Sequence, residues 1–279
     1  MKLLRYGKPG KEKPGILDKD GKIRDLSSII PELDGAAVSP KGLAKLRKVK
    51  LDTLPLVRGN PRIGSCIANP QKFIAIGLNY SDHAAESGLQ VPPEPVVFTK
   101  QVSCLSGPND DVTLPPKSKK GDWEVELGVI IGRGGLNIAE ADAMKHVFGY
   151  TVINDVSARE VQRQHGQQWF KGKSLDGHCP MGPWIATADE VADPQNLDIA
   201  CRVNGVTKQS SNTRHMYFKI PRIIAELSAG LTLEPGDIIC SGTPAGVGHA
   251  RTPPEFMQPG DILETEIAGL GLMRNKIAS

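Results

Sequence analysis

The sequence predicts a mixed, β-rich α+β fold, a β-roll or barrel-like sandwich rather than a doubly wound α/β sheet. Thirty glycines and twenty-two prolines are spread along the 279 residues, as many turns between short strands require. Residues 234–239 and 258–263 repeat one device, a Pro-Gly turn followed by Asp and a strand-like run. Asn204-Gly205 separates the runs 197–203 and 206 onward in the manner of a tight hairpin. Two copies of the Pro-Gly device are too few for a repeat protein.

Taken in order, residues 1–68 read as a small N-terminal domain and residues 69–279 as a larger one. Residues 16–24 form a hairpin around Asp20-Gly21, and Ser39-Pro40 caps and opens a short helix. The turn-rich stretch 60–70 joins the two parts. Residues 72–77 are apolar enough for a buried strand, and 79–86 turn into a short helix that Ser81 or Asp82 caps. Residues 96–98 resume a strand after a proline-rich segment, 139–147 suit a helix, and 148–153 suit a strand ending in Asn154-Asp155. Ser157 and Glu160 have capping-box spacing, which predicts a helix running towards Gln168. Pro221 and Gly230 bracket a final helix.

Bulk properties exclude several classes. A net charge of +3, without a dense basic tract carrying interleaved aromatics, argues against nucleic acid. Lys117, Lys119 and Lys120 are the nearest approach, and they read as a solvated loop. No apolar run approaches the roughly 20 residues of a membrane span, and the start lacks the pattern of a signal peptide. Five cysteines without CxxC spacing argue against a zinc site or a disulfide framework and fit a reducing cytoplasm.

The chemistry centres on residues 122–131. Trp123, Val125, Leu127, Val129 and Ile131 occupy one face of a strand, and Asp122, Glu124 and Glu126 begin the other. Successive same-face residues on a strand are roughly 7 Å apart, so these carboxylates either face open water or surround a cation. Asp155, at the end of an apolar strand, would add a third carboxylate to Glu124 and Glu126. Such an all-oxygen set suits Mg²⁺ or Mn²⁺, with Ca²⁺ as a possible substitute. His83 and Glu86 share a helix face, where the carboxylate would orient the imidazole as a general base. Gly166 and Gly172-Lys173-Ser174 miss phosphate-loop spacing by one residue, but Lys173 remains a candidate cation for a substrate carboxylate. Residues 242–248 fail as a dinucleotide fingerprint and read as a tight loop offering backbone amides and the Thr243 hydroxyl to an anion.

Together these pieces resemble the fumarylacetoacetate hydrolase superfamily. The resemblance rests on residues 77–80 with His83 and Glu86, on 122–126 and on 154–160. It continues through 172–174, 182–184 and 241–248, in order across roughly residues 70–275. It implies the family's β-roll, a homodimer, and one Mg²⁺ or Mn²⁺ held by Glu124, Glu126 and Asp155. It implies His83 and Glu86 as a water-activating pair and Lys173 as a catalytic and substrate-binding residue. Tyr80, Arg159, Gln162 and Thr243 complete the contacts to a 2-oxo or 2,4-dioxo acid. Residues 87–95 and 212–218 would set substrate size. Glu160 stands where many relatives carry Asp. The implied reaction is hydrolysis of the C3–C4 bond of an acylpyruvate, including a 2,4-dioxo-3-deoxy sugar acid. The same site would also serve oxaloacetate decarboxylation or isomerisation of a 2-hydroxymuconate-type diacid, and similar chains are labelled ureidoglycolate lyase. A vestigial acid-binding protein is the non-enzymatic alternative. Asp122, on the carboxylate face but further out, is expected to support the ligands or face solvent.

Overall fold

A computed structural model describes residues 1–279 apart from Ser87, Leu89, Val91, Lys117, Arg163 and Gln167. Part of the expected substrate-size segment and Lys117 of the basic run therefore lie outside the described residues.

All seven residues of strand Val125–Ile131 are buried, so this strand lies inside the molecule with protein against both faces. It belongs to a ten-stranded sheet. The order across that sheet is Ile23–Asp25, Lys13–Leu17, Lys2–Tyr6, Cys179–Thr187, Val147–Asn154, Val125–Ile131, Ile238–Cys240, Phe73–Gly77 and Val96–Thr99. Leu105–Ser106 pairs on Cys179–Thr187 off this path. Val147–Asn154 runs antiparallel to Val125–Ile131, and Ile238–Cys240 runs parallel to Phe73–Gly77. A second sheet of five strands runs Val206–Asn212, Asp198–Val203, Ile262–Ile267, Gly271–Ala278 and Val112–Thr113. Gly121–Asp122 pairs separately with Ser157–Ala158.

The period-two pattern separates two cores. Val125, Leu127, Val129 and Ile131 pack with Ile199, Val203, Leu263 and Ile267 of the second sheet, and helix Ile220–Ser228 adds Ile223, Ile224 and Leu227. Ile130 faces the other way, with Phe73, Phe148, Ile185 and Ile238, into a core closed by Leu3, Ile16, Leu26, Leu33 and Leu46. Residues 1–68 thus supply three strands at one end of the large sheet and, through Leu26, Leu33 and Leu46, close the core on its second face. We propose the division at residue 68 as the boundary between this N-terminal segment and the rest of the chain. A Cβ at position 128 would come within 2.6 Å of the Ile153 side chain and 2.9 Å of Thr151, so a larger residue between Glu126 and Ile130 would have to push both aside. All five cysteines are buried as free thiols.

The turn chemistry matches the sequence expectations. Asn204 and Gly205 both have positive φ, 52° and 75°, as a two-residue hairpin of this hand demands. The two Pro-Gly devices are equivalent in detail. Asp237 accepts from the Glu234 amide and Asp261 from the Gln258 amide, each at 2.7 Å. Ser39 accepts from the Gly42 amide at the start of helix Pro40–Leu46.

Two helix expectations change. Residues 139–147 form a 3₁₀ segment, Glu140–His146. The helix expected from Ser157 to Gln168 is only Arg159–Gln162, followed by a second short helix, Phe170–Lys173. Ser157 is not a cap, because it lies in the strand pair with Asp122 and its hydroxyl donates to the Asp155 carbonyl at 2.9 Å. Glu160 accepts instead from the Lys119 amide at 2.6 Å, and Gly166 at φ 57° turns the chain between the two short helices.

Candidate active site

The strand ladder is interrupted at Trp123-Glu124, and side chains take over its hydrogen bonds. Asn154 Oδ1 accepts from the Glu124 amide at 3.0 Å, while Gln209 Oε1 accepts from the Val125 amide at 3.0 Å. The Asp155 amide donates to the Glu124 carbonyl at 2.8 Å. These bonds bring the carboxylates of Glu124, Glu126 and Asp155 together, with one oxygen from each within 4.8 Å of the others and all three residues buried.

Opposite charges surround this triad. Lys173 Nζ lies 2.6 Å from Glu124 Oε2 and 3.0 Å from Asp155 Oδ2. Arg159 Nη2 donates to Glu124 Oε1 at 2.7 Å and Nε to Asp122 Oδ2 at 2.8 Å. Lys100, which the sequence reading missed, donates to Asp155 Oδ1 at 2.5 Å and to the Lys173 carbonyl. A period-two reading of Val96–Thr99 extended by one residue places Lys100 on the face of Phe98, a usable signal. Four buried carboxylates (Asp122, Glu124, Glu126 and Asp155) therefore meet three buried cations (Lys100, Arg159 and Lys173), one negative charge in excess.

That excess falls on Glu126. Its Oε2 accepts from the Gly242 amide at 2.7 Å, and no cation bonds to it among the described residues. Burial, then the Asp155 and Glu124 charges, push its carboxyl well above the usual range. Burial acts in the same direction on Glu124, but Lys173 and Arg159 outweigh it and hold that carboxyl well below the usual range. Asp155 Oδ2 is buried without a hydrogen bond, because Lys173 Nζ is close to it but not aligned. An orphaned carboxylate oxygen and an unbalanced carboxyl, both in an all-oxygen set, fit a hard divalent cation.

The triad opens into a cavity of about 430 Å³, to which Glu124, Glu126, His83, Arg159, Gln162, Lys173 and Thr243 all contribute. Its remaining wall is Ile76, Gly77, Leu78, Phe98, Trp169 and His249. Leu78, at φ 54°, turns strand Phe73–Gly77 into helix Ser81–Glu86, which carries the expected pair. His83 Nδ1 and Glu86 Oε1 are 2.8 Å apart, and the Gly246 amide holds Glu86 Oε2 at 2.8 Å. Tyr80 is fully buried and lies outside the cavity lining, with its hydroxyl unpartnered.

Two expectations are narrowed. Of the two places expected for Asp122, the structure gives the supporting one, bonded to the Arg159 that holds Glu124. Asp122 is completely buried and accepts from Trp123, Gly248 and His249 amides as well as from Arg159. The 242–248 loop does present amides to anions, but those anions are the protein's own: Glu126 at Gly242, Glu86 at Gly246 and Asp122 at Gly248. The Thr243 hydroxyl donates to the Val125 carbonyl and accepts from Gln209 Nε2, so its one proton is already committed. Sequence cannot reveal whose carboxylate an amide loop binds.

Residues 72–278 match the family model described as fumarylacetoacetate (FAA) hydrolase C-terminal. A Burkholderia multivorans chain, provisionally named a hydrolase, is 54% identical over 272 residues, covering 97% of this chain and 96% of that one. Fumarylacetoacetate hydrolase from the psychrophile Exiguobacterium antarcticum has a TM-score of 0.89 at 37% identity, covering 100% of this chain and 99% of that one. Maleylpyruvate hydrolase from Sphingobium sp. SYK-6, solved in complex with manganese(II) and pyruvate, has a TM-score of 0.82 at 31% identity, with coverage of 100% and 99%. With its fold, its acidic triad and a family match over three of its four quarters, the chain belongs to the fumarylacetoacetate hydrolase superfamily.

Proposed function

We propose that this chain is a Mg²⁺- or Mn²⁺-dependent hydrolase that cleaves the C3–C4 bond of a 2,4-dioxo acid, giving pyruvate and a second acid. Acylpyruvates, including 2,4-dioxo-3-deoxy sugar acids, are the substrate class. The observation that carries this reading is one cavity lined by Glu124 and Glu126 of an under-neutralised carboxylate triad and by His83, whose ring Glu86 holds from behind. The maleylpyruvate hydrolase to which the chain is similar was solved with the ion class and the product that this reading requires.

Glu124, Glu126 and Asp155 would hold the cation. When bound, it supplies a Lewis acid for the 2-oxo acid end of the substrate and for the negative charge that develops as the C3–C4 bond breaks. Glu86 fixes His83 through Nδ1, which leaves Nε2 to take a proton from water. The water oxygen bonds to C4, the C3–C4 electron pair passes to the pyruvate fragment, and a proton returns to C3. Arg159, Gln162 and Lys173 orient the acid and oxo groups. Thr243 contributes a hydroxyl lone pair and a shaped wall, its proton being engaged at Val125. Tyr80 serves as packing rather than as a substrate contact. The family resemblance also favours a homodimer, and five buried thiols favour the cytoplasm.

Purified protein incubated with several acylpyruvates and Mg²⁺ or Mn²⁺ should release pyruvate, and EDTA should stop it. His83→Ala should lower kcat by roughly 10²–10⁴-fold, the usual worth of a positioned general base, with Mn²⁺ affinity retained. Turnover that persists in His83→Ala would shift the reading to decarboxylation or isomerisation, which need no attacking water. No metal-dependent turnover at all would leave the acid-binding alternative.

A further inference from the structure

His249 lines the same cavity and has no part in the chemistry above. Its backbone amide donates to Asp122 Oδ2 at 2.9 Å, and its ring Nδ1 lies 3.2 Å from the same oxygen. Asp122 is completely buried and otherwise meets only donors: Arg159 Nε, the Trp123 amide and the Gly248 amide. An oxygen so placed can only accept, so the proton lies on Nδ1 and Nε2 is left for a ligand. Nε2 has no hydrogen-bond partner among the described residues and is not a buried orphan, so it is accessible on a residue that lines the cavity.

The placement matters as much as the tautomer. Among the described residues His249 is joined to Glu124 through Asp122 and Arg159 and makes no hydrogen bond to the triad. A 2,4-dioxo acid held by its acid end at the triad would present the remainder of its acyl chain to the other lining residues. Once His83, Arg159, Gln162, Lys173 and Thr243 are assigned as above, those are Gly77, the apolar or aromatic Ile76, Leu78, Phe98 and Trp169, and His249. The Phe98 and Trp169 rings pack edge to face at 5.2 Å, and a Cβ on Gly77 would lie 2.4 Å from the Trp169 ring, so this wall is tightly built. Arg159 and Lys173 are both engaged by carboxylates, and among the described lining residues no other lysine or arginine is present for a second substrate carboxylate. A hydroxyl is the group that an imidazole nitrogen serves in either protonation state, since a hydroxyl both donates and accepts.

We propose that His249, oriented by Asp122, is a specificity-determining residue that hydrogen-bonds a hydroxyl on the acyl portion of the substrate. This rests on the proposed C3–C4 hydrolysis. It selects, within the 2,4-dioxo acids, those with a hydroxylated tail over plain acyl or dicarboxylic ones. The apolar wall takes the C–H surface of such a tail, and His249 takes its one oxygen.

A matched set tests this: 2,4-dioxohexanoate, its 5-hydroxy derivative and 2,4-dioxohexanedioate, which would yield propanoate, lactate and malonate beside pyruvate. The wild-type protein with Mn²⁺ should favour the 5-hydroxy compound over the plain one by about tenfold or more in kcat/KM, the worth of one well-placed hydrogen bond. His249→Phe should bring that ratio near one, and His249→Gln, which restores a polar atom, should recover part of it. The wild-type ratio decides the matter even if a variant fails to fold. Equal or better turnover of the plain or dicarboxylic compound overturns the proposal, as does a ratio that His249→Phe leaves unchanged. Pyruvate release without hydroxyl preference defeats this inference alone. Release from none of the three defeats it together with the reaction on which it rests.

Discussion

Asp122 shows how a single residue can hold a site together without belonging to its reactive triad. Its two oxygens gather Arg159, the Gly248 and His249 amides and the Trp123 amide, and so connect the triad's guanidinium to the 242–249 loop. Burial alone would push its carboxyl up, but Arg159 and the bonds from His249 outweigh that and hold it below the usual range. Removing one partner of a buried ion pair leaves the other uncompensated, at a cost of roughly 3–5 kcal/mol. Asp122→Ala should therefore lose stability of that order in urea denaturation and also weaken activity, rather than produce the mild effect expected of an outlying carboxylate. A loss below about 1 kcal/mol would mean that Arg159 finds another partner. The alternation of residues 122–126 made the carboxylate face legible in the sequence. How far Asp122 lies from water was not legible, because the residues that cover it, Gly248 and His249, come more than a hundred positions later.

At the scale of the element, short pieces of backbone set the geometry, and glycines decide how closely they approach. Helices Arg159–Gln162 and Phe170–Lys173 carry Arg159, Gln162 and Lys173 to one wall. A Cβ on Gly172 would fall 2.5 Å from the Gln162 backbone, which explains a glycine next to Lys173 better than any phosphate-loop likeness. Gly172→Ala should cost about 1–3 kcal/mol, as overpacking does, and should lower kcat/KM by displacing Lys173 from Glu124 and Asp155. Differential scanning calorimetry and pyruvate-release kinetics would check both effects, and an unperturbed variant would show that the two helices can slide apart freely. Elements defined by local chemistry, such as the Asn204-Gly205 hairpin, the Pro-Gly devices and the Ser39 cap, are legible in neighbouring residues alone. The helix expected after Ser157 is not, because its capping pattern is overridden by the strand pair with Asp122, a tertiary partner that no local spacing encodes.

For the whole molecule, two cores on either side of one large sheet make the site a rigid feature of the fold. Asn154 and Gln209 tie the second sheet and its hairpin to the backbone at Glu124 and Val125. Fixing the triad in this way leaves its carboxylates crowded, so a divalent cation should stabilise the entire chain. At a hundred times its Kd, Mn²⁺ should add about 2.7 kcal/mol, roughly 5 °C in Tm. EDTA should reverse the shift, and Glu126→Ala should abolish it. A homodimer, the assembly we propose, is checked by sedimentation of the same sample. The most direct test of C–C bond hydrolysis is turnover of an acylpyruvate in ¹⁸O-labelled water with Mn²⁺, followed by mass spectrometry of the acid formed beside pyruvate. The predicted result is one ¹⁸O atom in that acid's carboxylate, dependent on the metal and lost in His83→Ala. Metal-dependent consumption of the acylpyruvate without a labelled second acid would contradict the account.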